Sequence, residues 1–348
     1  MNSPSEMDSV VGVDSQIRSQ RPKYQRWVIV LVAAFAAGFG APLNAHAQTI
    51  PPSQFASPKD ALQALVSAGR AKDRTELARI FGSEYDKLLS GDQVEDDKDL
   101  NDFAEAVEES AKLKKDSEAK YTVIVGKDNW PTPIPIVRKD SKWGFDAAAG
   151  LDEVINRRIG ENELAAIQTC RAYAVAQWEY FTESDWDHDG VAEYAQHLIS
   201  SPGKHDGLFW DTADDEKPSP LGPMIAAART EGYGPKAETP DAAGKGGAEK
   251  EPATDDRAPY YGYYVKLLTR QGPHAPGGKY SYLINGNMIA GYALVAYPEK
   301  WGNTGVMTFI INQQGRVYQK NLGANTAKFA AAMTEYDPDP SWKLVEQQ

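Results

Sequence analysis

An acidic loop in the middle of the chain has the residue spacing of a cation site. Its carboxylates alternate ahead of Gly190, so the odd positions can point inward while the glycine permits a sharp turn. Oxygen ligands of this kind suit calcium, and the residue after the glycine can add a backbone carbonyl. The predicted metal ligands are Asp185, Asp187, Asp189, Val191 and Glu193.

The twelfth position of this loop departs from a calcium-binding hand. Gln196 stands where such a hand has a bidentate glutamate. We therefore expect a simpler loop that binds Ca²⁺ weakly and structurally. The alternative is a solvated acidic turn whose charges are screened by water and salt and bind no ion.

The other reactive side chains form no recognised catalytic motif. His188, His197 and His205 lie close in sequence but lack zinc-site spacing, so we expect them at the surface. Cys170 is the single cysteine, which excludes an intramolecular disulfide, and its helical periodicity predicts a buried position. We find no nucleophile elbow, zincin motif or phosphate loop.

Aromatic residues are dense in the last third of the chain. They could line a groove for a sugar or a peptide, or they could be core and cross-strand pairs, which is the commoner role of aromatics on strands. The set comprises Trp210, Tyr260, Tyr261, Tyr263, Tyr264, Tyr292, Tyr297 and Trp301.

The N-terminal sequence has the features of a secretory signal. Basic residues precede an apolar run at 27–43, and Ala45 and Ala47 supply the small side chains that signal peptidase accommodates. We predict a signal peptide at 1–47 with cleavage after Ala47, and a periplasmic or secreted mature protein. The alternative is an uncleaved anchor, for which the run is short and interrupted near its end by glycine and proline.

The mature chain is acidic. Removing residues 1–47 takes away four basic and three acidic residues, so the net charge moves from −12 to about −13. Such a surface repels nucleic acid and anionic lipid. No later apolar stretch is long enough to span a bilayer, so we expect no integral membrane segment after signal cleavage and a partner that is an envelope protein or glycan.

The first unit reads as helices followed by a small antiparallel sheet. Ser57 and Pro58 open a helix. The pattern predicts three helices before any strand, the third at 100–113, with the acidic stretch 92–99 as an interruption. The predicted strands lie at 121–125, 134–138 and 142–145.

The second unit reads as a long helix at 162–181 packed on a four- or five-stranded antiparallel meander. A short helical piece is expected at 195–199, and a flexible insertion at 234–257, which has no aromatic, Leu, Ile or Val residue. The predicted strands lie at 260–269, 280–284, 290–296, 306–312 and 316–320, with a hairpin turn ending at Gly315.

Several short motifs of the second unit resemble the exported bacterial family called domain of unknown function 2950. The overall resemblance extends over most of residues 50–345. It implies export and assigns no activity. The motifs are Glu193-Tyr194-Ala195-Gln196, Asp206-Gly207-Leu208-Phe209-Trp210, Ser219-Pro220-Leu221-Gly222-Pro223, Tyr261-Gly262-Tyr263-Tyr264, Gly291-Tyr292-Ala293-Leu294-Val295-Ala296-Tyr297-Pro298 and Gly305-Val306-Met307-Thr308-Phe309.

The second unit also weakly resembles the globular part of pilins and pseudopilins, in which a helix packs on an antiparallel sheet. Those proteins begin their helix with an apolar stem, whereas the helix at 162–181 is amphipathic and internal. The resemblance therefore implies the fold and not filament assembly.

These observations predict an α+β protein with an N-terminal domain at 48–155 and a pilin-like domain at 156–348. We expect an exported soluble envelope protein that acts as a non-enzymatic binding or scaffolding module. The alternative is a periplasmic enzyme that acts on cell-wall or polysaccharide material through paired carboxylates.

Overall fold

The computed structural model describes residues 51–183, 190–213, 215–233 and 259–346. The predicted signal peptide, the three aspartates of the acidic loop and the insertion predicted at 234–257 lie outside these ranges. The chain divides into two compact units. The first contains residues up to Ser83 together with Glu105–Ala147, and the second contains Glu84–Ala104 together with residues from Ala148 onward. The domain boundary predicted after residue 155 stays a prediction.

Four helices precede the first strand of the described chain. The Ser57 hydroxyl caps the first helix by accepting the backbone N–H of Asp60 at 3.2 Å, and Pro58 occupies the first turn, as predicted. The helices are α1 (Pro58–Ala71), α2 (Arg74–Phe81), α3 (Tyr85–Leu88) and α4 (Gln93–Glu109).

An antiparallel sheet with strand order β1-β2-β4-β5 follows, and β3 pairs with β2. Leu65, Ile80, Val123, Ile136 and Phe145 are buried in the core of this first unit. The strands are β1 (Ala111–Ser117), β2 (Lys120–Val125), β3 (Trp130–Pro131), β4 (Ile136–Lys139) and β5 (Lys142–Phe145).

Two expectations for this part of the chain were wrong. The acidic stretch 92–99 does not interrupt a helix, because Asp92 Oδ1 accepts the N–H of Val94 at 2.9 Å and α4 begins there. The end of the helix predicted at 100–113 is the strand β1, an edge strand paired with β2 alone. The lysines of β1 favour a helix by propensity, although lysine is also common on edge strands.

The second unit packs one long helix on a five-stranded antiparallel meander with strand order β16-β15-β14-β13-β8, which confirms the predicted α+β fold. Gly315 forms the predicted hairpin turn with a φ of 70°. The elements are α5 (Ala147–Glu183), β6 (His197–Ile199), β7 (Gly207–Phe209), α6 (Gly222–Glu231), β8 (Tyr263–Leu268), β9 (Arg270–Gln271), β10 (Tyr280–Ser281), β11 (Leu283–Ile284), β12 (Asn287–Met288), β13 (Ala293–Pro298), β14 (Met307–Asn312), β15 (Tyr318–Asn321), α7 (Thr326–Ala332) and β16 (Lys343–Leu344).

Two further differences concern element type and length. The long helix predicted to start at 162 starts at Ala147; Gly160 lies inside it with no atom within 4 Å of where a Cβ would be. Residues 195–199 are not helical, because His197–Ile199 forms a parallel pair with Gly207–Phe209. Sequence patterns did not predict α6 and α7.

One side of α5 faces the meander. Cys170, Tyr173, Ala176 and Tyr180 recur at helical spacing and are buried in the core of the second unit, as predicted for the cysteine. Among the described residues, α5 included, no helix combines the length and apolar character needed to cross a membrane.

Candidate functional site

A buried polar cluster lies in the second unit, between the start of α4 and the first half of α5. Carboxylates are favourable at a helix N-terminus, which accounts for the acids at the start of α4. Asp96 Oδ1 also accepts the N–H of Ser90 at 2.7 Å, which fixes the chain that enters the helix. We call the Glu95 cluster the set Asp92, Glu95, Arg158, Asn162 and Tyr233.

Arg158 ties three parts of the second unit together. Its side chain, on α5, donates to the backbone carbonyl of Leu88 and to Asn303 Oδ1, the latter at 2.7 Å. Asn303 Nδ2 in turn donates to the Ser90 carbonyl at 3.3 Å. The residue is only 6% exposed, so its charge lies inside the protein.

Asn162 lies one turn further along α5 and is fully buried. Its Nδ2 donates to the Thr304 carbonyl at 3.1 Å. Gly262, with a φ of 65°, packs against the same groups: a Cβ there would lie 2.6 Å from Thr304 Cβ and 3.0 Å from Asn162 Nδ2. Only glycine fits this approach.

Glu95 is the acid at the centre of the cluster. Burial, followed by the charge of Asp99, raises its pKa to about 7; Asp92 adds to the rise, whereas Arg158 and Asn162 oppose it. Burial raises the pKa of Asp99 as well, although its side chain keeps contact with solvent. Glu95 is 4% exposed, so the desolvation of its charged form is nearly complete.

The cluster contains more polar atoms than it pairs. Within the described chain, no hydrogen bond of acceptable geometry reaches the buried atoms Asp92 Oδ2, Glu95 Oε2, Arg158 Nε, Asn162 Oδ1 and Tyr233 Oη. Burial and the neighbouring Asp92 carboxylate also raise the pKa of Tyr233. Unpaired buried polar groups are costly, and five of the 11 such side-chain atoms in the described chain lie in this cluster.

Two further tyrosine rings border the cluster beside Tyr233. Tyr233 lies 5.0 Å from Tyr260 and 5.4 Å from Tyr261, measured between ring centroids. Tyr261 has a φ of 47°, which is unusual for an aromatic residue. Such strain is characteristic of functional sites.

A second candidate site is a row of aromatic rings at the end of α5. Trp178 stacks on Phe181 at 6.3 Å, and Phe181 stacks on Tyr194 at 4.6 Å, both with interplanar angles of 24°. Trp178 is 47% exposed. We call Trp178, Phe181 and Tyr194 the aromatic row.

The predicted calcium loop ends beside this row. Glu193 Oε2 accepts the N–H of Met288 at 2.8 Å and a hydrogen bond from Gln196 Nε2 at 3.2 Å, so one carboxylate oxygen holds the loop end to β12. Val191, the predicted carbonyl ligand, also lies within the described residues. In the described ranges, no group of three His, Cys, Asp or Glu residues could hold a metal ion. Because Asp185, Asp187 and Asp189 lie outside those ranges, the calcium site stays a prediction.

The other sequence candidates are dispersed. His205 stacks on Trp210 at 4.4 Å, and burial raises the pKa of the Cys170 thiol to about 12, which makes it unreactive. The predicted aromatic set forms no single groove. Tyr263, Tyr292 and Tyr297 are buried in the core, and Trp301 is separately hydrogen-bonded to Asn321.

Sequence reasoning missed both candidate sites. Glu95 lies in the acidic stretch predicted as an interruption, and Trp178 and Phe181 lie in the predicted helix at 162–181 without a predicted role. The spacing of the two aromatics, three residues apart in the last turns of a helix, was a usable signal. Glu95 gave none, because its partners on α5 and beyond are far away in sequence.

The chain belongs to the family described as "Protein of unknown function (DUF2950)", whose model matches residues 52–345. The match covers both units, and it confirms the resemblance found in the motifs. No curated protein and no solved structure matches the chain.

Proposed function

We propose that the mature protein is an exported, non-enzymatic binding module of the bacterial envelope, and that the aromatic row holds a glycan. The observation that carries this proposal is the 47% exposure of Trp178 at the end of a stack of near-parallel rings. Burial of tryptophan is strongly favourable, so a half-exposed ring in line with two others offers a flat platform for an apolar partner face.

The surroundings of the row suit a sugar. A sugar ring presents a flat C–H face and a rim of hydroxyls, which need polar partners. Lys217 forms ion pairs with Glu179 and Glu183 on the same end of α5, at 3.2 Å for Glu179. Glu193 and Gln196 supply further oxygens and an amide beside Tyr194.

Sedimentation with purified, insoluble cell-wall polysaccharide tests the proposal. Trp178→Ala should weaken binding about tenfold, the upper end of what one aromatic contact contributes. Trp301→Ala is the matched control, because Trp301 is also exposed, at 41%, and lies outside the row. Equal binding by both variants and the parent, or no binding by the parent, would contradict the proposal.

Export is part of the same proposal and rests on the leader sequence. Mass spectrometry of protein from the periplasmic fraction should find an N-terminus at Gln48. An intact leader on membrane-bound protein would contradict cleavage.

We further propose that the acidic loop binds a structural calcium ion through Asp185, Asp187, Asp189, Val191 and Glu193. The support is the position of Glu193, which precedes Tyr194 of the row and fastens the loop end to β12. An ion in the loop would brace the platform. The packing of α5 on the meander, which the resemblance to pilins predicts, supports a scaffolding role. We propose no filament assembly.

A periplasmic enzyme acting on polysaccharide through paired carboxylates is the second candidate. Glu95 favours it, because a carboxyl with a pKa of about 7 beside Asp92 has the properties of a general acid. Its 4% exposure makes access difficult, so we place the binding module first. Release of soluble fragments from cell-wall polysaccharide by the parent, abolished in Glu95→Gln, would instead establish the enzyme.

A further inference from the structure

We propose that the Glu95 cluster is a proton-operated latch, in which protonated Glu95 keeps the segment Glu84–Ala104 seated against α5 and ionised Glu95 loosens it. This inference concerns the second unit alone and does not depend on the aromatic row.

The segment is held by a small number of specific contacts. Arg158 binds the Leu88 carbonyl, and Asn303 binds the Ser90 carbonyl. Further along, a Cβ on Gly232 would lie 3.4 Å from Val94, so the end of α6 also packs on α4. Glu95 is the buried acid among these contacts. When its carboxyl is ionised, the interface between this segment and α5 therefore contains a buried negative charge.

The charges around Glu95 do not balance its ionised form. Asp92 and Asp99, on the same segment, are acids that further disfavour a negative charge on Glu95. Arg158 is the cation that acts on it, and the two terminal nitrogens of Arg158 donate to neutral oxygens of Leu88 and Asn303.

The remaining elements add little compensation. Tyr233 at the end of α6 presents a hydroxyl that adds no positive charge, because burial and the Asp92 carboxylate raise its pKa and keep it neutral. Glu163 on α5 accepts the N–H groups of Val306 and Met307 at 3.0 Å. Lys300 lies near the segment, since a Cβ on Gly91 would be 2.8 Å from its Nζ, but its side chain is 51% exposed.

Protonation removes the imbalance. A neutral carboxyl has no charge to desolvate and gains a donor in a place where Asn162 Oδ1 and Asp92 Oδ2 are unpaired acceptors. Ionisation reverses both gains, and hydration of the carboxylate is available when the segment moves outward. The segment also carries exposed acids such as Asp97 and Asp102, which remain in water during this motion. With a pKa of about 7 for Glu95, the latch is closed in mild acid and weakens above neutrality.

Hydrogen exchange of the mature protein at pH 6 and pH 8 tests the latch. After correction for the intrinsic exchange rate, amides at 89–100 of the parent should lose about tenfold in protection at pH 8, the change expected when the open state has an ordinary glutamate pKa. Glu95→Gln should show the same protection at both pH values. Glu108→Gln, an exposed acid of the same helix, should behave as the parent does.

A measurement on the parent alone guards against a variant that fails to fold. The backbone amide shifts of residues 92–99 should titrate with a midpoint near pH 7. A midpoint below pH 5, or a loss of protection in Glu95→Gln equal to that of the parent, would overturn the latch.

Discussion

Tyr173 and Tyr292 pack edge to face with ring centroids 5.5 Å apart, and each donates its hydroxyl to the element that carries the other. Tyr173 Oη on α5 donates to the Ala293 carbonyl at 3.3 Å, and Tyr292 Oη donates to the Ala174 carbonyl at 3.1 Å. Each bond satisfies a backbone group in the interior. This reciprocal pair joins the long helix to the start of β13, the strand of the meander that lies between β8 and β14.

Removing one hydroxyl of this pair should destabilise the second unit. We expect Tyr173→Phe and Tyr292→Phe each to lower the free energy of unfolding by about 1 kcal/mol, because each variant loses one interior hydrogen bond while the ring remains. Urea denaturation of both single variants and the double variant measures this. A strictly additive double variant would show that the two bonds act independently, contrary to our expectation for neighbouring rings.

Gly262 should tolerate no side chain. Gly262→Ala combines a left-handed φ with a Cβ only 2.6 Å from Thr304, so we expect a loss of about 3 kcal/mol or more. Gly302→Ala is the control: its φ is 79° with no atom within 4 Å of the new Cβ, so only the conformational cost of about 1 kcal/mol remains. Denaturation midpoints that coincide for the two variants would refute the close approach at Gly262.

The raised pKa of Glu95 predicts how global stability changes with pH. The folded state holds the Glu95 proton up to about pH 7, whereas the unfolded chain releases it near the ordinary glutamate pKa of 4.5. Stability from this group is therefore full below pH 4.5 and is lost as the pH rises to about 7, by roughly 3 kcal/mol in all. Glu95→Gln should be relatively more stable at pH 8 than at pH 5. Thermal unfolding of parent and variant at both values measures the difference, and a difference that does not change with pH would contradict it.

The calcium loop makes a prediction for thermal stability. Millimolar calcium should raise the unfolding midpoint of the parent relative to chelator, because an ion offsets repulsion among converging aspartates. Asp187→Ala should abolish the rise. Asp128→Ala, an exposed aspartate of the first unit, should retain it. Identical parent midpoints in calcium and chelator would remove the site.

The meander could be read from the sequence because its signals are local. Residues 306–312 are mostly apolar and rich in β-branched residues, and Gly315 marks the turn that follows. The strand β1 and the start of α4 could not be read in the same way. Lys112 and Lys114 favour a strand only through pairing with β2, and Gln93 starts a helix only because Asp92 caps it.

The candidate sites depended still more on distant contacts. The environment of Glu95 is made by Arg158 and Asn162, more than 60 residues away, and by Tyr233 beyond them. Local pattern has no access to such partners. Tyr194 was visible as part of a family motif, but its stacking on Phe181 joins residues of two different elements, which no local pattern indicates.

The two units are interleaved along the chain, since Glu84–Ala104 belongs to the second unit and Glu105–Ala147 to the first. No single cut in the sequence separates them, and a fragment beginning after Ala147 would lack the partners of Arg158 and Asn303. During synthesis, which proceeds from the N-terminus, residues 84–104 are therefore made before Arg158 and Asn303, the side chains that bind their carbonyl groups. The segment can reach its final position only after the chain has been extended by 213 residues beyond Ser90, up to Asn303.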